Sequence, residues 1–293
     1  MAEAKPEGER FKPRLSLLFP VVLSLSVTGL LGYPFFAYPF VSTPVVIFQG
    51  GTITDASLNA LYFVLALGIT ATAMLFLVRR GKMGVLRKLV KVAVIIVCFT
   101  VAVWYSTEVY SISGLALDNT LATLVILVSS LGTAVVLGLF VFGKGKMRQL
   151  AGVVLLSALT GVFLGSNIDT LTALVLAGAL VVYDIVAVFR GPVGALAKSM
   201  EAGDLPGAMF NYQELSIGMG DMVFYSLIAM TALLFGLASF VGAGLGIIVG
   251  TFLGFKALQK FEMFPGLPFS LVLGIAGMFL GRLVGVLLFG GTF

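Results

Sequence analysis

The segment Ile217-Gly218-Met219-Gly220-Asp221-Met222-Val223-Phe224-Tyr225-Ser226 sets one carboxylate near the start of a long apolar run, preceded by two alternating glycines. A carboxylate in hydrocarbon is costly on any scale, so an intramembrane acid is a functional candidate and calls for a partner. Composition shows that the surroundings are indeed a membrane. A 293-residue chain that is 59% hydrophobic and 11% charged, with a mean hydropathy of +1.13, has more apolar surface than a single soluble core can hide. The single cysteine, Cys98, rules out an internal disulfide and reads as a small apolar filler. Histidine is absent, which removes the commonest catalytic base and metal ligand.

A helix needs roughly 17 to 25 apolar residues to cross a bilayer. Nine such runs are expected, near Leu15–Leu31, Leu58–Val78, Leu89–Tyr105, Leu121–Phe142, Leu150–Leu164, Leu171–Phe189, Leu215–Ala238, Phe240–Leu258 and Pro268–Phe289. The fold class is therefore all-α, a polytopic membrane protein of nine transmembrane helices. The seventh and eighth runs are almost continuous, and the glycine cluster in Ser239–Gly246 is the expected site of the turn between them. The fifth run is short. The first follows Lys5, Arg10, Lys12 and Arg14 but has no small-residue cleavage site after it, so it reads as a retained helix.

The charges then give an orientation. Besides the N-terminal cations, Arg79, Arg80, Lys82, Arg87, Lys88 and Lys91 surround the turn between helices two and three, and Lys144, Lys146 and Arg148 that between four and five. Arg190 and Lys198 lie between six and seven, Lys256 and Lys260 between eight and nine. All fall on one side, while the opposite connections carry the acids Asp55, Glu108, Asp118 and Asp169. By the positive-inside rule the N-terminus is expected in the cytoplasm and the C-terminus outside. The net charge of +5 is then a topological signal, and no nucleic-acid partner is expected. Arg282, inside helix nine, is expected to snorkel to the outer surface. Trp104 and Tyr105 are expected to close helix three in an outer aromatic belt.

Within this plan, the other acid in an apolar run is Asp184, in Val181-Val182-Tyr183-Asp184-Ile185-Val186. Helix six runs inward and helix seven outward, which places Asp184 roughly 8 Å and Asp221 roughly 9 Å from the cytoplasmic helix ends at 1.5 Å per residue. Two carboxylates at one depth on consecutive antiparallel helices cannot both ionise easily and are expected to hold one proton between them. Aspartic proteases use that arrangement: the ionised acid takes a proton from water while the protonated one polarises the scissile carbonyl. A proton-sharing pair that joins two helices, or a relay in a proton-coupled transporter or channel, fits the acids equally well.

The surroundings bear on the choice. Gly218 and Gly220 leave room for another backbone near Asp221. A peptide bond inside a transmembrane helix is shielded by its own turns, so its hydrolysis requires local unwinding, for which strand pairing against the enzyme is a route. Phe264-Pro265-Gly266-Leu267-Pro268-Phe269-Ser270 puts two prolines around Leu267 at the depth of the acids. That stretch reads either as backbone left open to water or an extended peptide, or as a proline-started helix.

Tyr183-Asp184, Gly218-Met219-Gly220-Asp221 and Pro265-Gly266-Leu267-Pro268 resemble, in order and spacing, the YD, GxGD and PALP motifs of the presenilin and signal peptide peptidase family of intramembrane aspartyl proteases. The resemblance covers essentially the whole chain. Phe224-Tyr225-Ser226, Gly191-Pro192-Val193 and the expected orientation resemble the presenilin branch, and the small size resembles its archaeal members. It implies that Asp184 and Asp221 form the catalytic pair. Gly218, Gly220, Pro265, Gly266, Leu267 and Pro268 would shape the site and hold unwound substrate, with Tyr183 in support. It implies no cofactor and no metal. The implied partners are the bilayer and single-pass transmembrane substrates. A homo-oligomer is compatible, and accessory subunits are not required by the sequence. Gly266 departs from the usual alanine.

By the same reading residues 1–190 hold helices one to six with the YD motif, 191–214 form a cytoplasmic connecting loop, and 215–293 hold helices seven to nine with the other two motifs. That loop lacks the long hydrophilic insertion of animal presenilins. Zinc and rhomboid-type serine mechanisms need histidine, which the chain lacks. Gly143-Lys144-Gly145-Lys146 has no Walker spacing and reads as a basic inner loop. Gly242, Gly246, Gly250 and Gly254 recur every fourth residue as a helix-packing stripe.

Overall fold

The computed structural model describes residues 13–38, 46–191, 209–212, 215–259 and 264–290. Among these, a 3-10 turn, Leu15–Leu18, runs into α1 (Phe19–Ala37), followed by α2 (Ile53–Arg79), α3 (Met83–Ser113), α4 (Asn119–Val141), α5 (Lys146–Asn167) and α6 (Thr170–Phe189). A short hairpin, β1 (Met209–Tyr212) and β2 (Leu215–Gly218), precedes α7 (Met219–Leu234), α8 (Leu237–Ala257) and α9 (Leu267–Phe289). Eight of the helices are long and apolar enough to cross a membrane. The protein is an integral, multi-pass membrane protein.

Acids expected in external connections serve as helix caps. Asp55 forms a capping box with Thr52 at the start of α2, Asp118 accepts the Thr120 amide at 3.2 Å at the start of α4, and Asp169 accepts the Thr172 amide at 2.9 Å at the start of α6. Each satisfies an amide left without a partner in a first turn, where the helix dipole also favours negative charge. Glu108 differs from expectation, because α3 continues to Ser113 and includes it.

Two spans differ in kind from what hydropathy suggests. The seventh does not begin at Leu215: residues 215–218 are extended and pair antiparallel with 209–212, so α7 starts at Met219 and has only 16 residues. At 1.5 Å per residue that is about 24 Å, short of a typical hydrocarbon core of about 30 Å. It suffices because α7 is enclosed by protein: Met222, Ile228, Ala229, Met230 and Ala232 are all fully buried. The break before α8 falls at Phe235–Gly236, not in Ser239–Gly246, since Gly236 takes a φ of +128° that side chains resist. The fifth span, expected to be short, is a full 22-residue helix and the second interior one. Gly161 and Gly165 bring it against α7, where a Cβ on either residue would lie 2.8 Å from the α7 backbone at Leu227.

Polar side chains close this centre. Ser24 of α1 and Ser226 of α7 meet at 3.2 Å, and Ser157 of α5 donates to the Met219 carbonyl at 3.4 Å, tying down the first residue of α7. Trp104 and Tyr105 do not form an outer belt. Trp104 packs on Phe35 and Phe163 with ring centroids 5.3 and 5.2 Å away, and the Tyr105 hydroxyl donates to the Leu31 carbonyl at 3.1 Å. With two further turns of α3 beyond them, these rings lie within the bundle and face α1 and α5. Cys98 is buried among Val94, Val101, Leu137 and Leu159, the role expected of it.

The glycine stripe of α8 packs on α9. Gly242 touches the carbonyl of Gly277, Gly246 that of Leu273 and Gly250 that of Phe269, with no space for a side chain between the backbones. Gly254 leaves the stripe and borders a cavity beside Asp221. Arg282 donates to the Phe235 carbonyl at 3.2 Å with its guanidinium 4.9 Å from the Phe235 ring centre, so it caps the end of α7.

Candidate active site

Asp184 lies near the end of α6 and Asp221 in the first turn of α7. The start of α7 is set by the hairpin: Gly218 ends β2 with extended dihedrals (φ −74°, ψ 134°), and the helix begins at the next residue. Ile217 anchors the hairpin in a cluster with Leu150, Val153, Val154 and Met222, and the ring of Tyr212 stacks on Phe19 at 6.2 Å. Asp221 thus occupies the positive end of a helix whose entry is held by a strand pair.

The segment 265–268 forms the start of α9, with Gly266 as N-cap and Pro268 in the first turn. Glycine has no side chain to cap the helix, and the free amide of Leu267 donates to Oδ2 of Asp184 at 2.9 Å. The carboxylate of α6 therefore caps α9 from outside. On the other side of the same turn, a Cβ on Gly266 would lie 2.7 Å from Oδ2 of Asp221. Both acids meet one turn, each at a helix N-terminus. This is the proline-started helix of the two sequence alternatives, with its orphan amide turned to a catalytic candidate.

Gly266 and Leu267 contact the two acids directly, Pro265 is buried beside the cavity at Asp221, and Pro268 lies in the first turn of α9. Leu267 is buried and packs with Leu271 and Tyr225 in the main core. Gly218 lies near the Asp221 carboxylate, with a Cβ there 3.9 Å from Oδ2, whereas Gly220 faces open space. Tyr183 packs toward α2, where a Cβ on Gly68 would lie 3.8 Å from its ring. Of the connecting loop 191–214, residues 192–208, 213 and 214 lie outside the described residues, and 209–212 form β1.

Sequence reasoning missed three polar side chains. The Tyr225 hydroxyl donates to the Gly266 carbonyl at 3.1 Å, the Ser270 hydroxyl reaches the same carbonyl at 3.1 Å, and Ser270 and Thr251 meet at 3.1 Å. Tyr225 follows Asp221 by four residues and so shares its helix face, a signal present in the sequence. Thr251, on α8, carried none.

One space adjoins Asp221, and another runs past Tyr183, the residue before Asp184. A cavity of about 120 Å³ is bounded by Asp221, Tyr225, Thr251, Gly254, Phe264 and Gly266. A groove of about 890 Å³ runs between α2 and α6, with Tyr183, Gly68, Thr72 and Val186 in its walls. A small cavity with part-polar walls thus lies at Asp221, and an apolar trough runs along α6.

Fold and site together define a polytopic helical membrane protein with two acids converging on a proline-flanked turn. The family model "Presenilin" matches residues 16–203, well over half of the chain. The chain belongs to the presenilin family. It is 29% identical over 157 residues to Presenilin-B of Dictyostelium discoideum, an alignment covering 50% of this chain and 33% of that one, so it spans about a third of the length of that relative. Among solved structures it resembles a presenilin family intramembrane aspartate protease in a C222 crystal form, at a TM-score of 0.59 and 19% identity over 93% of this chain and 100% of that one. A P2 crystal form described in the same words gives 0.56 and 21%, over 94% and 98%. At those identities the likeness establishes the fold.

Proposed function

We propose that the protein is an intramembrane aspartyl endopeptidase that hydrolyses peptide bonds within transmembrane segments, with Asp184 and Asp221 as the catalytic pair. The observation that carries this reading is that the two intramembrane carboxylates bracket one turn, Asp184 bonded to the Leu267 amide and Asp221 against Gly266. One ionised acid takes a proton from water, whose oxygen adds to the scissile carbonyl, while the protonated partner gives its proton to the carbonyl oxygen. Collapse of the tetrahedral intermediate returns a proton through the pair to the leaving nitrogen.

The substrates are single-pass transmembrane segments, unwound locally, and the partners are those segments and the bilayer, with no nucleic acid. Accessory subunits are not required, and self-association is compatible. The N-terminus is cytoplasmic and the C-terminus external. Exposed cations at the α2–α3 and α4–α5 turns, opposite the capping acids of α2, α4 and α6, support that orientation.

The test is incubation of purified protein in detergent with a single-pass helical substrate, with products mapped by mass spectrometry. Cuts within the hydrophobic segment that vanish in Asp184→Ala and in Asp221→Ala, with a bell-shaped dependence on pH from a pair that works with one proton, are expected. Identical products from wild type and both variants would sink the proposal.

A further inference from the structure

We propose that Tyr225 and Ser270, backed by Thr251, are positioning residues that hold Asp184 in place through the peptide group joining Gly266 to Leu267. The inference rests on Asp184 being one of the two catalytic acids.

The two ends of that peptide are engaged on opposite sides. Its carbonyl receives the hydroxyls of Tyr225 and Ser270, each at 3.1 Å, and its N–H donates to Asp184 at 2.9 Å. A peptide group is planar and stiff, so fixing the direction of its C=O fixes that of its N–H. Local sterics do little to fix it here. Gly266 has φ −78° and ψ −31°, which any residue adopts, and glycine leaves neighbouring conformations accessible. The first turn of α9 aligns this carbonyl with the helix, and the hydroxyls of Tyr225 and Ser270 hold it there.

The hydroxyls are well placed for that task. Tyr225, Ser270 and Thr251 are 3%, 0% and 6% exposed, so bulk water does not compete for them. They come from α7, α9 and α8, and Tyr225 lies one turn beyond Asp221. One peptide thereby couples the helix carrying Asp221 to the side chain of Asp184.

Proton supply ranks the three. Thr251 donates to the Ile247 carbonyl at 2.8 Å, Ser270 reaches Gly266, and the two hydroxyls also meet each other at 3.1 Å. Two hydroxyl protons serve three contacts, so Ser270 reaches the carbonyl only in some arrangements. The Tyr225 hydroxyl donates to the carbonyl at 3.1 Å and also neighbours the Ser270 and Thr251 hydroxyls, with no carbonyl of its own helix drawing its proton away. Tyr225 is the principal clamp, Ser270 the second, and Thr251 steers Ser270.

The test has a kinetic and a spectroscopic arm. On a substrate the wild type cleaves, Tyr225→Phe should lower kcat by about 10- to 100-fold, the scale of a small misplacement at a reacting centre, with KM within about twofold. Ser270→Ala should lower kcat less, Ser270→Thr should restore it, and Tyr225→Phe combined with Ser270→Ala should fall short of the product of the single effects because both act on one carbonyl.

Independently of activity, labelling glycine carbonyls with 13C and leucine amides with 15N makes visible only Gly–Leu peptides, of which the chain has six. The Leu267 amide should be protected from exchange in wild type and lose protection in Tyr225→Phe and in Asp184→Ala, with the other five signals unmoved. An unchanged Leu267 signal in Tyr225→Phe, or a raised KM at constant kcat, would overturn the clamp. Absence of all wild-type cleavage would instead overturn the protease assignment, and the Leu267 signal would still decide whether the clamp exists.

Discussion

The amide of Leu267 donates to Oδ2 of Asp184 at 2.9 Å, so a carboxylate on α6 caps the first residue of α9. Asparagine at 184 can accept the same bond, whereas alanine leaves a buried amide without a partner. Both Asp184→Asn and Asp184→Ala are expected to abolish cleavage. The alanine variant should also be less stable than the asparagine variant by about 1–3 kcal/mol, the cost of an unsatisfied buried donor. Thermal unfolding of the two in one detergent makes the comparison with charge held constant, and equal melting temperatures would count against the cap.

Gly266 is the next point of leverage. A methyl group there would sit 2.7 Å from Oδ2 of Asp221, but the backbone angles suit alanine and the obstructing atom ends a movable side chain. Gly266→Ala is therefore expected to fold with stability unchanged or raised by up to about 1 kcal/mol, through a less free unfolded chain. Cleavage should fall several-fold as the carboxylate is displaced. Paired melting and kinetic measurements test this, and a marked loss of stability would show that Asp221 cannot turn aside.

Between α8 and α9, Gly277→Ala drives a Cβ into the Gly242 carbonyl, while Gly244→Ala on the same pair meets open space. The first should cost about 1–3 kcal/mol, as overpacking does. The second should be neutral or gain up to about 1 kcal/mol from helix propensity. Activity should follow the same order, since α9 begins at the turn that touches both acids. Similar behaviour of the two variants would contradict the close approach.

Asp169 offers a separation of stability from chemistry. Its side chain caps α6 at the end opposite Asp184, accepting the Thr172 amide at 2.9 Å. Asp169→Ala should lower stability by about 1 kcal/mol, a usual cost for a lost N-cap, with kcat and KM retained at temperatures well below melting. A large fall in kcat there would indicate that the capping end of α6 is linked to the acid.

The helix count was legible because apolar run length is a strong signal, and so was the place of Asp184 near the end of its helix; Asp221, expected well inside its helix, lies in the first turn of α7 because 215–218 are extended. What misled was local. Leu215-Ser216-Ile217-Gly218 is apolar enough to extend a helical run, and hydropathy alone does not tell a short strand from a helix turn. The glycines from Gly242 onward drew the expected turn into α8, where they serve backbone contact, while the single Gly236 made the turn. Tyr225 was within reach through its spacing from Asp221. The contact of Thr251 with Ser270 depends on how α8 meets α9, which no local pattern encodes.

Backbone-to-backbone contact along Gly242–Gly277 and Gly246–Leu273 leaves no layer of side chains to shear, so α8 and α9 bear load as one rod. The turn that meets both acids lies at the end of this rod. α6 is bordered instead by the trough it shares with α2, and its Val182, Ile185 and Val186 are exposed. An incoming backbone at strand spacing takes about 4.8 Å, and the trough leaves open room of that order along α6. The mechanics are those of a vice with one fixed jaw: the rod carries the turn that both acids meet, and Asp184 reaches that turn from the helix with the open flank.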